Sequence, residues 1–311
     1  MMSRRIATAA LALAALAFAT APAAQTMNEF DLRGALVDPA EIVSGGPPKD
    51  GIPAIDRPRF VPAGEAKMSP GDRILGVARN GEAKAYPVRI LNWHEVVNDA
   101  VGGTAVAVTY CPLCGSGVTF DRDVQGEVRS FGVSGLLYNS DVLLYDRETN
   151  SLWSQILGKA VTGPAKGAKL ALVATAHTSW ADWVARHPDT LVLSEDTGFT
   201  RNYARDPYAG YDVNPVILFP VANSSTRFDS KEIVLGLDLD GSRKAYPFAE
   251  LAKTEGVIVD KLAGRDIRVS YDAQHRTARV LDKDGKELPS VMTYWFAWYA
   301  FYPESAVFYA K

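Results

Sequence analysis

A chain of 311 residues with a net charge of −3 lacks the basic footprint that nucleic-acid binding requires. Its 47% hydrophobic and 22% charged residues are ordinary for a soluble protein, with room for one large domain or two smaller ones. No lipidation motif and no second hydrophobic span follow the N-terminus.

That N-terminus reads as a signal peptide over residues 1–23. Arg4 and Arg5 form a basic region, Ile6 to Ala19 an apolar run, and Ala21-Pro22-Ala23 a small-residue cleavage site. The apolar run is too short and alanine-rich for a membrane span, so no stable span is expected after signal removal. No cysteine follows to take a thioether-linked lipid. Ser3-Arg4-Arg5 resembles a twin-arginine signal only superficially, and the general secretory route is favoured. The mature chain is therefore expected to be periplasmic or secreted. Residues 24–70, rich in Pro, Gly and Ala, read as an extended arm.

Beyond the arm the chain repeats itself. Ile74-Leu75-Gly76-Val77 to Lys84-Ala85-Tyr86-Pro87 returns as Val234-Leu235-Gly236-Leu237 to Lys244-Ala245-Tyr246-Pro247. Val108-Thr109-Tyr110-Cys111 is matched by Val269-Ser270-Tyr271-Asp272, and Thr178 through Trp180 and Trp183 to Pro188 by Thr293 through Trp295 and Trp298 to Pro303. Three blocks in one order indicate a duplicated unit. The first unit spans 71–225 and the second, degenerate and cysteine-free, 226–311. The expected fold is β-rich α+β, each unit a strand hairpin, a helix, a strand and a tryptophan helix.

Asn80-Gly81 and Asp240-Gly241 are hairpin turns of the strongest kind. Ile90, Leu91, Trp93, Val96 and Val97 recur at helical spacing until Gly102-Gly103 breaks the pattern. Thr104 to Tyr110 is a β-branched run that ends at the cysteines, with further strands at Val118–Phe120, Val128–Phe131 and Val142–Tyr145. Trp180 and Trp183 sit on a short helix closed by His187-Pro188. The second copy lacks the stretch from Phe131 to Gln155.

Cys111 and Cys114, the sole cysteines, lie in Tyr110-Cys111-Pro112-Leu113-Cys114-Gly115. A lone Cys-x-x-Cys reads as a redox dithiol, half of a metal site or a local staple. A disulfide closing so short a loop stabilises by only ~2 kcal/mol, which makes stapling a weak reason for the pair. Nothing between Gly115 and Asp123 reads as a helix whose dipole would lower a thiol pKa, so activation must come from elsewhere. His94 and Arg147 are the candidates. His94 falls on the polar side of the predicted helix; the plainer reading is a surface or packing histidine. His187 is better read as a helix-end cap. Ser134, bracketed by glycines, with Asn139, Asp146, Trp153 and Gln155, forms a polar segment, and Thr197, Arg201 and Tyr203 another. Such segments line small-molecule clefts or seal surface loops.

At these residues the chain resembles a bacterial and archaeal family, the domain of unknown function 3179 family. The matching blocks are Asn92 to Asp99, Val108 to Arg122, Phe131 to Gln155, Gly163-Pro164 with Gly167, and Ser179 to Tyr211. Some relatives are described as selenoproteins with selenocysteine at the cysteine motif. The resemblance therefore implies redox or soft-metal chemistry there, since selenium adds little to a staple. The leading expectation is a thiol oxidoreductase with catalytic Cys111, Cys114, His94 and Arg147, acting on a small-molecule or protein thiol/disulfide partner. The alternatives are copper or zinc held by Cys111, Cys114 and His94, and a small-ligand module with a structural disulfide.

Overall fold

Asn80 and Gly81 both adopt left-handed backbone, φ 49° and 84°, as a tight hairpin turn demands, and they join strands Arg73–Arg79 and Glu82–Pro87. Asp240 and Gly241, φ 54° and 84°, do the same between Ile233–Leu239 and Ser242–Pro247. The computed structural model describes residues 26–311; the signal-peptide reading lies outside them. Strand makes up 41% and helix 11%, a β-rich α+β fold.

Each hairpin runs into a short helix, Val88–His94 in one unit and Phe248–Leu251 in the other. A second hairpin follows in each. Val96–Val101 turns through Gly102-Gly103 into Thr104–Cys111, and Val257–Leu262 turns through Ala263-Gly264 into Arg265–Asp272. Val96 and Val97 are thus strand, not helix. Glu95 ends the helix in left-handed backbone at φ 57°, and the β-branched pair beyond it finds hydrogen-bond partners in Thr109 and Val108. The strand expected over Val128–Phe131 is also divided, into Glu127–Val128 and Phe131–Tyr138.

Both units close alike. Ala176–Ser179 pairs with the first strand of its unit, helix Trp180–Arg186 follows, and Leu191–Leu193 returns parallel to Glu82–Pro87. In the second unit these parts are Val291–Tyr294, Trp295–Phe301 and Ala306–Val307. The closing tryptophan sets a side-chain limit on the first strand. A Cβ at Gly76 would overlap the Trp183 ring, and one at Gly236 the Trp298 ring. Lys84 and the Tyr86 hydroxyl both donate to Asp99; Lys244 and the Tyr246 hydroxyl both donate to Asp260.

The units interlock. Met292 pairs with Gly117, so one sheet runs from the second unit's strands through Ser116–Asp121 to the cysteine strand. In return, Arg73 donates to the carbonyls of His275 and Arg276, and the Ser179 hydroxyl meets His275 Nδ1 at 2.7 Å.

One part has no counterpart. Phe131–Tyr138, Asp141–Asp146, Leu152–Ser154 and Lys159–Ala160 form an inserted sheet, with Ile42–Ser44 on its edge. Phe131, Val133, Leu144 and Trp153 pack with Ala107 and Cys111, while Val106, Val108 and Tyr110 face Leu75 and Val77. The cysteine strand is therefore apolar on both faces, the pattern of a strand covered on each side. No helix among the described residues is long and apolar enough to cross a membrane.

Candidate functional site

Cys111 pairs with Ser116 at the end of its strand, and Pro112 to Gly115 make the connecting loop. Gly115 is required there: its φ is 61°, and a side chain would strike the Tyr294 ring. The loop is pinned through Cys114, whose carbonyl accepts from Thr293 Oγ1 and from the Tyr294 amide, both 2.8 Å. Both thiols are closed off from solvent, with 1% of Cys111 and 0% of Cys114 exposed. They are unbonded, and the pair stands 3.8 Å apart.

The opposite wall comes from the inserted sheet. Asn139 and Ser140, both left-handed at φ 53° and 64°, turn its central hairpin and deliver Asp141 to the sulfurs. Cys114 Sγ donates to the Ser140 carbonyl at 3.4 Å. Ligand atoms of Cys111, Cys114 and Asp141 all lie within 4.8 Å of one another, and all three residues are buried. One Asp141 oxygen accepts from the Ile156 amide; the other, and the Ser140 hydroxyl, are buried with no partner among the described residues.

Electrostatics at this cluster run against free thiolate. Burial pushes the Cys111 thiol up and the Cys114 thiol well up, and the Asp141 charge adds to both. Burial raises Asp141 to about 7 and Glu95 to about 8, the Asp141 charge adding to the rise of Glu95. The cation that senses Cys114 is Lys231, which desolvation lowers to about 8.

Neither expected activator belongs to the cluster. His94 is fully buried rather than on a polar face, because the arm and the loop around Tyr203 cover it. Its Nδ1 meets the Pro53 carbonyl at 2.8 Å and its Nε2 the Tyr203 hydroxyl at 2.6 Å, leaving no nitrogen for metal or thiol. Arg147 is exposed and pairs with Asp56. Thr197 and Tyr203 do come together with His94, through a Thr197–Tyr203 hydroxyl contact of 2.6 Å, whereas Arg201 is exposed and donates to the Thr200 carbonyl.

The polar segment from Ser134 to Gln155 holds the insert together. Ser134 bonds the Leu143 carbonyl at a bulge, Asn139 accepts from the Ala222 amide, and Asp146 receives Thr149 and the Trp153 indole. Gln155 alone of these reaches the cysteine loop, bridging Ser116 and Thr109. Sequence reasoning passed over Asp141 and Glu95. The signal for Asp141 is a carboxylate opening the apolar run Val142-Leu143-Leu144-Tyr145, where an acid needs a reason.

No curated protein and no solved structure matches this chain. Residues 49–305, most of its length, match a family model, and the chain belongs to the family described as protein of unknown function, DUF3179.

Proposed function

We propose that this protein binds a soft metal ion, zinc, through Cys111, Cys114 and Asp141. The observation that carries the reading is three buried acids within 4.8 Å of one another, one carboxylate oxygen unpartnered and no cation among them. A bound cation offsets the burial that raises all three groups, and it takes the place of the thiol protons. The spacing also fits: two thiolates at about 2.3 Å from one tetrahedral zinc stand about 3.8 Å apart, against 3.8 Å here. The Ser140 carbonyl, 3.4 Å from Cys114 Sγ, is a further oxygen beside the pair. When bound, zinc would supply a closed, redox-inert cross-link between the cysteine loop and the inserted sheet. The family resemblance, with its implied soft chemistry, and the export reading are consistent with acquisition of metal outside the cytoplasm.

Dithiol redox chemistry is the second reading. Asp141 at about 7, beside both sulfurs, is placed to accept a thiol proton. Against it stand the raised thiol pKa values and the closed surface, since exchange needs an accessible thiolate.

Metal content by mass spectrometry, with thiol titration before and after chelation, separates the two. The expected result is about one zinc per chain. Cys111→Ser, Cys114→Ser and Asp141→Asn should each lose most of it, and His94→Ala should retain it. Copper(I) at the same stoichiometry would keep the site and change the ion. A metal-free protein that reversibly forms the Cys111–Cys114 disulfide would overturn the proposal in favour of redox chemistry.

A further inference from the structure

At the seam between the units a cavity of about 230 Å³ lies against the outer side of the cysteine loop, where Pro112 and Gly115, not the sulfurs, form its wall. The units supply its wall in matched pairs. Arg73 and Ile233 begin equivalent strands, His177 and Met292 stand opposite Leu75 and Leu235, and Gly115 and Arg276 precede Ser116 and Thr277 on the two hairpins. The pairs differ in chemistry. Wherever one unit offers an apolar or bare position, the other offers a cation or an imidazole.

Among the described residues none of those polar groups is paired with a carboxylate. Arg73 donates only to backbone carbonyls, of His177, His275 and Arg276. Arg276 is an exposed residue at the mouth of the cavity, and among the described residues its guanidinium has neither an ion pair nor a hydrogen bond. Lys231 lies 3.2 Å from the Tyr211 ring centroid and is satisfied by the carbonyls of Tyr211 and Val216. His177, 9% exposed, keeps Nδ1 buried without a partner, and so does the Tyr211 hydroxyl. Two carboxylates also reach the wall; Asp206 is taken up by the Asn92 amide and the Tyr208 backbone, and Asp212 remains. Positive charge is in excess. Burial lowers Arg73 to about 10 and Lys231 to about 8, and the two arginines push His177 down further. An anion in the cavity relieves all of these at once. The volume falls below the roughly 300–1,000 Å³ of drug-sized sites, which sets the occupant at metabolite size.

We infer that this cavity binds a small organic carboxylate, gripped by Arg276 and Arg73 and hydrogen-bonded by His177 and Tyr211. The site is separate from the thiol cluster, so the two readings can fail independently.

Calorimetric titration of the full chain, chelated and metal-loaded, with a panel of short mono-, di- and hydroxycarboxylates and their neutral amides tests the inference. Binding of at least one acid, at least ten-fold tighter than its amide in both metal states, is expected. Arg276→Gln should weaken that binding at least ten-fold with the thermal midpoint unchanged, and Tyr211→Phe should weaken it a few-fold. Absence of binding across the panel, amides that bind as well as acids, or a folded Arg276→Gln that binds like wild type would each overturn it. Inorganic phosphate that binds more tightly than every carboxylate would overturn the ligand class.

Discussion

The strand Thr104–Cys111 and its counterpart Arg265–Asp272 share their pairings and part company on one face. In both, residues two apart point into the unit's own core: Val106, Val108 and Tyr110 in the first, Ile267, Val269 and the half-buried Tyr271 in the second. The other face of the second strand carries Arg268, Ser270 and Asp272 and meets solvent, as an antiparallel sheet with one wet face should. The same face of the first strand carries Ala107, Thr109 and Cys111 and is sealed by the insert. The hairpin ends differ accordingly. Cys111 and Cys114 are closed against Asp141, whereas Asp272 and His275, at the same places, are half-exposed, and Asp272 caps the His275 amide. What separates a thiol site from an ordinary turn is the sheet laid over it, more than the strand that carries it. We further infer that both units descend from one duplicated ancestor, supported by the shared pairings and the paired Gly–Trp contacts.

The largest effects should come from what the units share. Trp183→Ala and Trp298→Ala should each cost about 3–5 kcal/mol by chemical denaturation, since each empties the same buried contact with Gly76 or Gly236. Tolerance of one but not the other would break the equivalence. Gly76→Ala and Gly236→Ala should each cost about 1–3 kcal/mol through overpacking.

A pH effect should follow from the two carboxyls buried where the insert meets the first unit. In metal-free protein Glu95 rises from the ordinary 4.5 to about 8 and Asp141 from 3.8 to about 7. The folded chain then keeps protons that the unfolded chain has released. Stability is full below about pH 4 and is lost as pH rises towards about 8. Thermal midpoints followed across that window should fall, and Glu95→Gln should flatten the slope. A midpoint that rises with pH would contradict the burial of these carboxyls.

The smallest difference sharpens the contrast of faces. Thr109→Ala removes the hydroxyl that accepts from Gln155, leaves that buried amide only the long contact of 3.4 Å to the Ser116 carbonyl and should cost about 1–3 kcal/mol. Ser270→Ala, at the matching half-exposed position, should stay within about 0.5 kcal/mol. Equal costs would mean that the insert does not distinguish the strands.

Legibility followed the range of the interactions. The turns at Asn80-Gly81 and Asp240-Gly241 were readable because left-handed backbone is a local demand that few residues meet. The tryptophan helices were readable from a proline beyond their ends. His94 was misplaced because periodicity describes one helix and takes no account of the arm and loop that bury it from outside. The polar run from Ser134 to Gln155 stands out in sequence, yet most of its members serve turns and a bulge within the insert.

From sequence come the β-rich character, most of the order of elements and the similar blocks in the two halves. Each rests on short-range sterics or on patterns of polarity that survive without knowledge of neighbours. Tertiary structure decided what the cysteines face. Asp141 lies 27 residues beyond Cys114 in the chain, and Glu95 sixteen before Cys111. Only the pairing of Phe131–Tyr138 with Asp141–Asp146, laid on the strand's outer face, gathers acids instead of cations around the sulfurs. The cavity likewise exists only where two units meet, because Arg73 and Arg276 are 203 residues apart and share nothing until the hairpins interlock. Burial shifts the proton affinity of Asp141, Glu95 and Arg73, and burial is a property of the assembled fold.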